Sequence, residues 1–468
     1  MTTNNNEPFK GRTFLGHPRG LGYLAFTELW ERFSYYGMAA LLVLYMVQEL
    51  LLPGHVENVI GMGMLRGVLE SIFGPLSSQA LASQLFGLYS GLVYFTPIIG
   101  GWLADRYFGA RKMVMFGILS MTAGHFAMAF EQSFLIALFL LIIGSGALKG
   151  NIATQVGQLY PEGNESWRAR GFTLFSIFIN IGAFCGPLVS GLLAQVYGWH
   201  IGFGFAGALM LIAVAVYLAG RKDLPAEPSS GQVTEKHAPL SGADKKLLLL
   251  MLPVFILAVL GHFAYFQSLN VGFVWIADHV RLATGMGDVP VPWFASIDPL
   301  AGIVCAPFLI MFWGWLASRK AEPGDIHKIG IGLTFMAAGM AVFALGAATV
   351  GDDGASLAWP LLAYICTGIG FMWYWPVMLS FVSRMAPPSI RSLLMGTSYL
   401  TLFFAGLLAG YVGSLYEGMT PMSFFILCAV ITVAGAVFVL LFGRRLQSAL
   451  HATSEQPLEP AAPRVKPA

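Results

Sequence analysis

The chain has 468 residues, of which 56% are hydrophobic and only 11% are Asp, Glu, Lys or Arg, whereas about a quarter of a soluble domain is charged. That balance excludes an ordinary water-soluble globular protein and defines an integral membrane protein. Net charge is +2, and the 26 Lys and Arg fall in small groups between apolar runs rather than along one basic face, which excludes nucleic-acid binding. Cys185, Cys305, Cys366 and Cys428 are far apart within apolar runs and read as small core hydrophobes, without disulfide or metal-ligand spacing.

A membrane-spanning helix needs about 20 apolar residues. In chain order that requirement is met twelve times, at 22–48, 83–103, 113–130, 133–156, 171–196, 199–219, 247–272, 293–317, 327–350, 356–381, 391–415 and 421–443. A polar tail, 1–21, precedes the first run, which carries two Glu and an Arg and has no small-residue cleavage site, so it reads as a retained span. Between the first two spans, residues 52–80 place apolar side chains at helical spacing around Arg66 and Glu70, the pattern of an amphipathic helix at the membrane surface. Residues 220–246, rich in Pro, Ser, Gly and charge, read as a linker. It separates a six-helix bundle over 22–219 from a second over 247–443, and 444–468 is a polar tail.

Alternate connections differ sharply in basic charge. With the N-terminus placed inside, 22 of the 26 basic residues fall on the inner side, Arg66 and Arg281 on the outer, and Arg32 and Lys149 within spans. Lys and Arg favour the cytoplasmic side, so both termini are expected there, in a bacterial inner membrane. The run Gly101-Trp-Leu-Ala-Asp105-Arg106 closes the second span, and Gly314-Trp-Leu-Ala-Ser318-Arg319 closes the eighth, 213 residues later. Such duplicated halves imply a transporter with its site at their interface near the midplane.

Ionisable groups inside a bilayer cost roughly 2.5 to 3.5 kcal/mol each on insertion scales, so those retained point to function. Glu28, Glu31 and Arg32 stand at i, i+3 and i+4 and share one face of the first helix. At 1.5 Å per residue, Glu31 lies roughly 15 Å from the inner end near Leu21 and Lys149 roughly 16 Å from the inner end near Tyr160, so a contact between them is expected. Protonating one Glu would change which cation the other holds, which makes the four a proton-sensitive switch; the alternative is a static ion network that fixes helix packing. Tyr35, Tyr36 and Tyr94 offer aromatic walls ending in a hydroxyl, suited to a polar, peptide-sized substrate. His125 and His262 are further membrane groups able to carry protons, or hydrogen-bonded packing residues.

The run Glu28-Leu-Trp-Glu31-Arg32-Phe-Ser-Tyr35-Tyr36-Gly37 resembles the ExxER motif and following YYG of the proton-dependent oligopeptide transporters, a branch of the major facilitator superfamily. Residues Tyr94 to Arg111 are similar to the superfamily's loop motif, Leu148-Lys149-Gly150-Asn151 to the family's fourth-helix lysine motif, and Ile179-Asn180-Ile181-Gly182 to its INxG motif. The resemblance implies an all-α fold of twelve transmembrane helices in two halves. It also implies proton coupling through Glu28, Glu31, Arg32 and Lys149, gating through Asp105, Arg106 and Arg111, and Asn180 at the substrate. Asp105 also reads, from the residues alone, as a helix cap or a partner of neighbouring basic groups.

Several family positions differ. Phe371 stands where the family's tenth helix carries a Glu, Ala39 where the first carries an Arg, and Ser398 where the eleventh carries a Trp; Gln267 replaces an acidic residue on the seventh. The family's NPL reads Asp298-Pro299-Leu300, and the added acid either captures a substrate amine or caps the helix beginning at Pro299. The expected function is a proton-coupled symporter importing di- or tripeptides or related small zwitterions by alternating access. The alternative is an importer or exporter of the same fold with a non-peptide cargo. No enzyme constellation such as HExxH or GxSxG is present, and no cofactor or metal is expected, the proton being the coupling ion.

Overall fold

The computed structural model describes residues 13–161, 163–225, 242–285, 287–386 and 391–454; much of the linker, the first twelve residues and the end of the C-terminal tail lie outside them. A tight hairpin leads in, with β1 (Thr13–Phe14) antiparallel to β2 (His17–Pro18). Its turn residues Leu15 and Gly16 have φ of 50° and 80°, the left-handed pair that matches strand twist in a two-residue hairpin. Then α1 (Arg19–Tyr45) runs into a π-helical turn over Met46–Leu50.

The remainder of the first half is α2 (Met62–Phe73), α3 (Ser78–Leu103) with a π turn over Ala104–Phe108, α4 (Ala110–Ala127), α5 (Phe134–Gln158), α6 (Glu165–Tyr197) and α7 (Trp199–Ala219). The second half has α8 (Gly242–Leu269), α9 (Val271–His279), a small hairpin of β3 (Ala283–Thr284) and β4 (Gly287–Asp288), α10 (Ile297–Ser318), α11 (Asp325–Ala348), α12 (Ala358–Met385), α13 (Arg391–Gly413) and α14 (Pro421–Ser454). Among the described residues, eleven helical stretches are long and apolar enough to cross a membrane. The twelfth expected span is α4, 18 residues long with Arg111 and Lys112 in its first turn.

Some boundaries differ from expectation. The seventh span does not stop near 272: it breaks at Asn270, whose φ and ψ are −94° and −99°, and resumes as α9 to His279. The first helix starts at Arg19, inside the expected tail, and α14 continues to Ser454, so 444–454 are helical rather than tail. The amphipathic α2 forms as expected. Its apolar face is left open, with Met64, Val68 and Ile72 79%, 53% and 67% exposed, as a helix lying on a bilayer surface requires.

In the first bundle α1 packs on α6 and α7, and α4 and α3 pack on α5; in the second, α11 packs on α12 and α14, with α8 against α13 and α14. The start of α1 and the end of α14 share one face, the terminal face. There Arg19 lies 4.0 Å from Asp223 beyond α7, and Gln447 of α14 packs against Gly324 ahead of α11.

The bundles meet at the opposite face. Gln79 donates to the Gly413 carbonyl at 3.2 Å, Ser83 to Asn270 at 3.0 Å and Gln84 to Ser414 at 3.3 Å. Trp293 donates to the Leu188 carbonyl at 2.8 Å, Ser296 to that of Phe184 at 2.7 Å and Gln195 to that of Asp288 at 3.1 Å. The bundles are thus joined on the face opposite the termini, and the space between them extends toward the terminal face, where Thr173, Ile310 and Pro376 line it.

Candidate functional site

The i, i+3, i+4 spacing turns Glu28, Glu31 and Arg32 toward the first bundle's interior, where they are 4%, 0% and 6% exposed. Arg32 Nε lies 3.1 Å from Glu28 Oε1 and also pairs with Glu31 Oε2. Gly182 on α6 makes room for them: a Cβ there would sit 2.5 Å from the Leu29 carbonyl oxygen and 2.9 Å from Arg32 Cβ. One guanidinium between two carboxylates leaves one formal negative charge, and a buried pair lacking its full complement of partners is costly.

Lys149 on α5 is the balancing cation, but the expected contact with Glu31 is not made in this conformation. Its Nζ lies 4.5 Å from the ring centre of Tyr35 and 4.4 Å from that of Tyr94, with no hydrogen-bond partner and no ion pair among the described residues. Cation–π contacts contribute about 0.5 to 2 kcal/mol. Lys149 is thus held by the weaker kind of bond while Arg32 holds both acids.

Beside this cluster, between the bundles, lies a cavity of about 790 Å³, within the range of small-molecule sites. Tyr36, Tyr94 and Asn180 line it from the first bundle, and Asp298, Phe371 and Trp375 from the second. Tyr35 stands behind this wall, its ring 5.2 Å from that of Tyr36, and serves Lys149 instead. Asp298 is not a cap: the helix is preceded by Ser296, and Asp298 lies in its first turn with its side chain at the cavity.

Gln267 does not line the cavity; it is fully buried, and its amide donates to the Ala409 carbonyl of α13 at 2.9 Å. Ser398 is likewise buried and bonds the Leu394 carbonyl at 3.0 Å. Its neighbour Tyr399 reaches the cavity, as does Ala39. Phe371 packs 5.7 Å from the Tyr265 ring and 6.0 Å from His262. His262 lines the cavity, with Nδ1 2.5 Å from the Tyr374 hydroxyl, Nε2 without a partner and the Trp375 ring 4.5 Å away. His125 is fully buried in α4 without a partner and plays no part in this wall. Tyr265, Trp375 and Tyr399 were not singled out in the sequence, although the aromatic run from Phe371 to Trp375 was the signal available.

The loop residues stand apart at the terminal face. Asp105 is exposed in the π turn that ends α3 and forms no ion pair among the described residues. It does not cap α4, whose cap position is Gly109. Arg106 lies over the Tyr107 ring at 5.9 Å. Arg111 donates to the carbonyls of Arg221 and Leu224 at 3.1 and 2.9 Å, tying α4 to the end of α7. Nothing in this set bridges the bundles.

Two six-helix bundles around an aromatic cavity with buried charges beside it define a secondary transporter. The Major Facilitator Superfamily profile matches residues 24–410. A peptide transporter of Yersinia enterocolitica subsp. palearctica is 30% identical, over 94% of this chain and 97% of that protein. A di-/tripeptide transporter of Lactococcus lactis subsp. cremoris is 28% identical, over 92% and 96%. The crystal structure of a peptide transporter POT in complex with sulfate superposes with a TM-score of 0.80 at 26% identity, covering 94% of this chain and 97% of that one. The chain therefore belongs to the Major Facilitator Superfamily, in its proton-dependent oligopeptide transporter branch, and is a multi-pass membrane protein.

Proposed function

We propose that the protein is a proton-coupled symporter that imports di- and tripeptides or related small zwitterions by alternating access. The observation that carries this reading is the arrangement of charges: Arg32 holds Glu28 and Glu31 while Lys149, with no carboxylate partner among the described residues, rests on Tyr94 in the wall of a peptide-sized cavity. Protonation of a glutamate releases Arg32 from one partner, and its deprotonation offers a carboxylate to Lys149. The substrate carboxylate then meets cations from the first bundle, and its amine meets Asp298. Transport rather than catalysis is the chemistry this site supports, and the coupling ion is the proton, with no cofactor. The 22 to 2 asymmetry of basic residues supports a bacterial inner-membrane location with both termini cytoplasmic, which makes the open side cytoplasmic. Asp105, Arg106 and Arg111 would close that side in the other state.

A second reading, a non-peptide cargo, is favoured by one observation: Ala39 and Phe371 at the cavity remove an Arg and a Glu that the family places there. Competition against labelled uptake by a panel of di- and tripeptides separates the two. Inhibition by many peptides supports the first; inhibition by none, with uptake of another zwitterion, replaces it with the second.

A further inference from the structure

Four residues that the transport site does not use converge on the face opposite the termini. Glu49 is in the π turn that ends α1, His55 in the following loop, Glu131 between α4 and α5, and His200 in the first turn of α7. One ligand atom each from Glu49, Glu131 and His200 lies within 4.8 Å of the others. His200 Nε2 is 3.4 Å from Glu49 Oε1, and His55 Nδ1 is 2.5 Å from Glu131 Oε1. The side chains of Glu49 and Glu131 are 29% and 16% exposed, sheltered yet reachable from water. Behind them Tyr45 is fully buried, its hydroxyl has no partner, its ring lies 5.9 Å from that of His200, and both glutamates act on it electrostatically.

Two carboxylates this close repel, and His55, whose hydrogen bond to Glu131 raises its pKa, offsets at most one of them. A divalent cation offsets both. An all-oxygen cage would suit Ca²⁺ or Mg²⁺, whereas one imidazole with two carboxylates and a water suits four-coordinate zinc, whose donors sit about 2.0–2.2 Å from the ion and so roughly 3.4 Å from one another. The His200–Glu49 spacing already matches. Carboxylates that ligate a metal are themselves held by hydrogen bonds, and His55 is placed to hold Glu131 so.

We propose that Glu49, Glu131 and His200, with His55 orienting Glu131, form a zinc site that ties the end of α1, the α4–α5 loop and the start of α7 together on the face opposite the termini. The sequence gives no hint of it, because its members are scattered from 49 to 200.

The test is zinc titration of the full-length, chelator-stripped protein against a chromophoric zinc indicator at neutral pH, with Ca²⁺ and Mg²⁺ in parallel. One zinc per chain is expected, not displaced by excess Ca²⁺ or Mg²⁺, and bound about tenfold or more weakly in His200→Ala and in Glu131→Gln. Glu57→Gln, a nearby exposed carboxylate that accepts from Gly54 N at 2.8 Å, should bind as the parent does. Zinc should also raise the Tm of the unsubstituted chain, a readout that survives if a variant fails to fold. Absence of stoichiometric binding or of a Tm rise, unchanged affinity in folded His200→Ala, or equal weakening in Glu57→Gln would each overturn the proposal.

Discussion

Lys149 and Arg32 are both buried cations within reach of the same two acids, yet the structure treats them differently. Arg32 lies against Glu28 and Glu31 together through its Nε, and Lys149, a point charge on a flexible stem, rests on the tyrosine rings. A group held only by ring faces exchanges partners at small cost, which is what a coupling switch needs. Lys149→Ala should therefore reduce gradient-driven uptake to background in vesicles; robust accumulation in that variant removes Lys149 from coupling. Asp298 is the lone carboxylate on the second bundle's side of the cavity lining, among aromatic rings that favour a cation. Asp298→Asn should weaken uptake of amine-bearing substrates by about tenfold or more, the scale of a charge-assisted bond, and leave amine-blocked analogues unaffected. Uptake measured for both substrate types would show an unchanged preference if the acid does not touch the amine. The spacing of Glu28, Glu31 and Arg32 made their shared face legible in sequence. The tyrosine cage was not, because depth along two helices fixes height but not which rotamer a lysine adopts. Gln267 misled for a similar reason: a polar residue facing inward can satisfy a neighbouring helix's carbonyl instead of a ligand.

Between elements, glycines set how closely the bundles approach. A Cβ on Gly87 of α3 would lie 2.6 Å from Gly410 Cα on α13, so a larger residue there cannot be accommodated with the face opposite the termini closed. Gly87→Leu should shift the protein toward a state open on that face. In a cysteine-free background carrying Ala39→Cys at the cavity, thiol labelling from that face should accelerate severalfold; unchanged labelling would mean that this contact does not gate. The amphipathic α2 is fastened by a different device. Arg66 Nε donates to Glu70 Oε1 at 2.8 Å and its other nitrogen to the Leu76 carbonyl at 2.6 Å, while Leu76 N donates to Glu70 Oε1 at 3.1 Å. These bonds hold the Glu70 carboxyl below its ordinary range. A carboxylate so depressed adds stability above its ordinary range and loses it as pH falls through the lowered value. Amide exchange at Leu76 should accordingly lose protection in that acidic window, and Glu70→Gln should reproduce the loss at neutral pH; equal protection in parent and variant would detach the carboxyl from the knot. Helical periodicity made α2 legible. The break between α8 and α9 was not read, since Asn270 sits within a long, largely apolar run and its side chain is engaged by Ser83 across the bundle interface, a contact that local sequence does not show.

For the molecule as a whole, the repeated Gly-Trp-Leu-Ala run and the alternation of basic connections made the two halves visible before any coordinates. Which face is closed was invisible, because the same sequence must support both states. The answer lies in the hydrogen bonds that join the bundles on the face opposite the termini, while at the other face Asp105 forms no ion pair among the described residues and Arg106 lies over its neighbour Tyr107. A transporter caught open on its terminal face, with its acids on Arg32, matches one station of an alternating cycle. Coupling of that cycle to protons is measured most directly as net proton flux into proteoliposomes that hold a pH-sensitive dye, on addition of a dipeptide without an imposed gradient. Acidification of the lumen that depends on the peptide and vanishes in Lys149→Ala is predicted. Peptide uptake with no accompanying proton movement would contradict it.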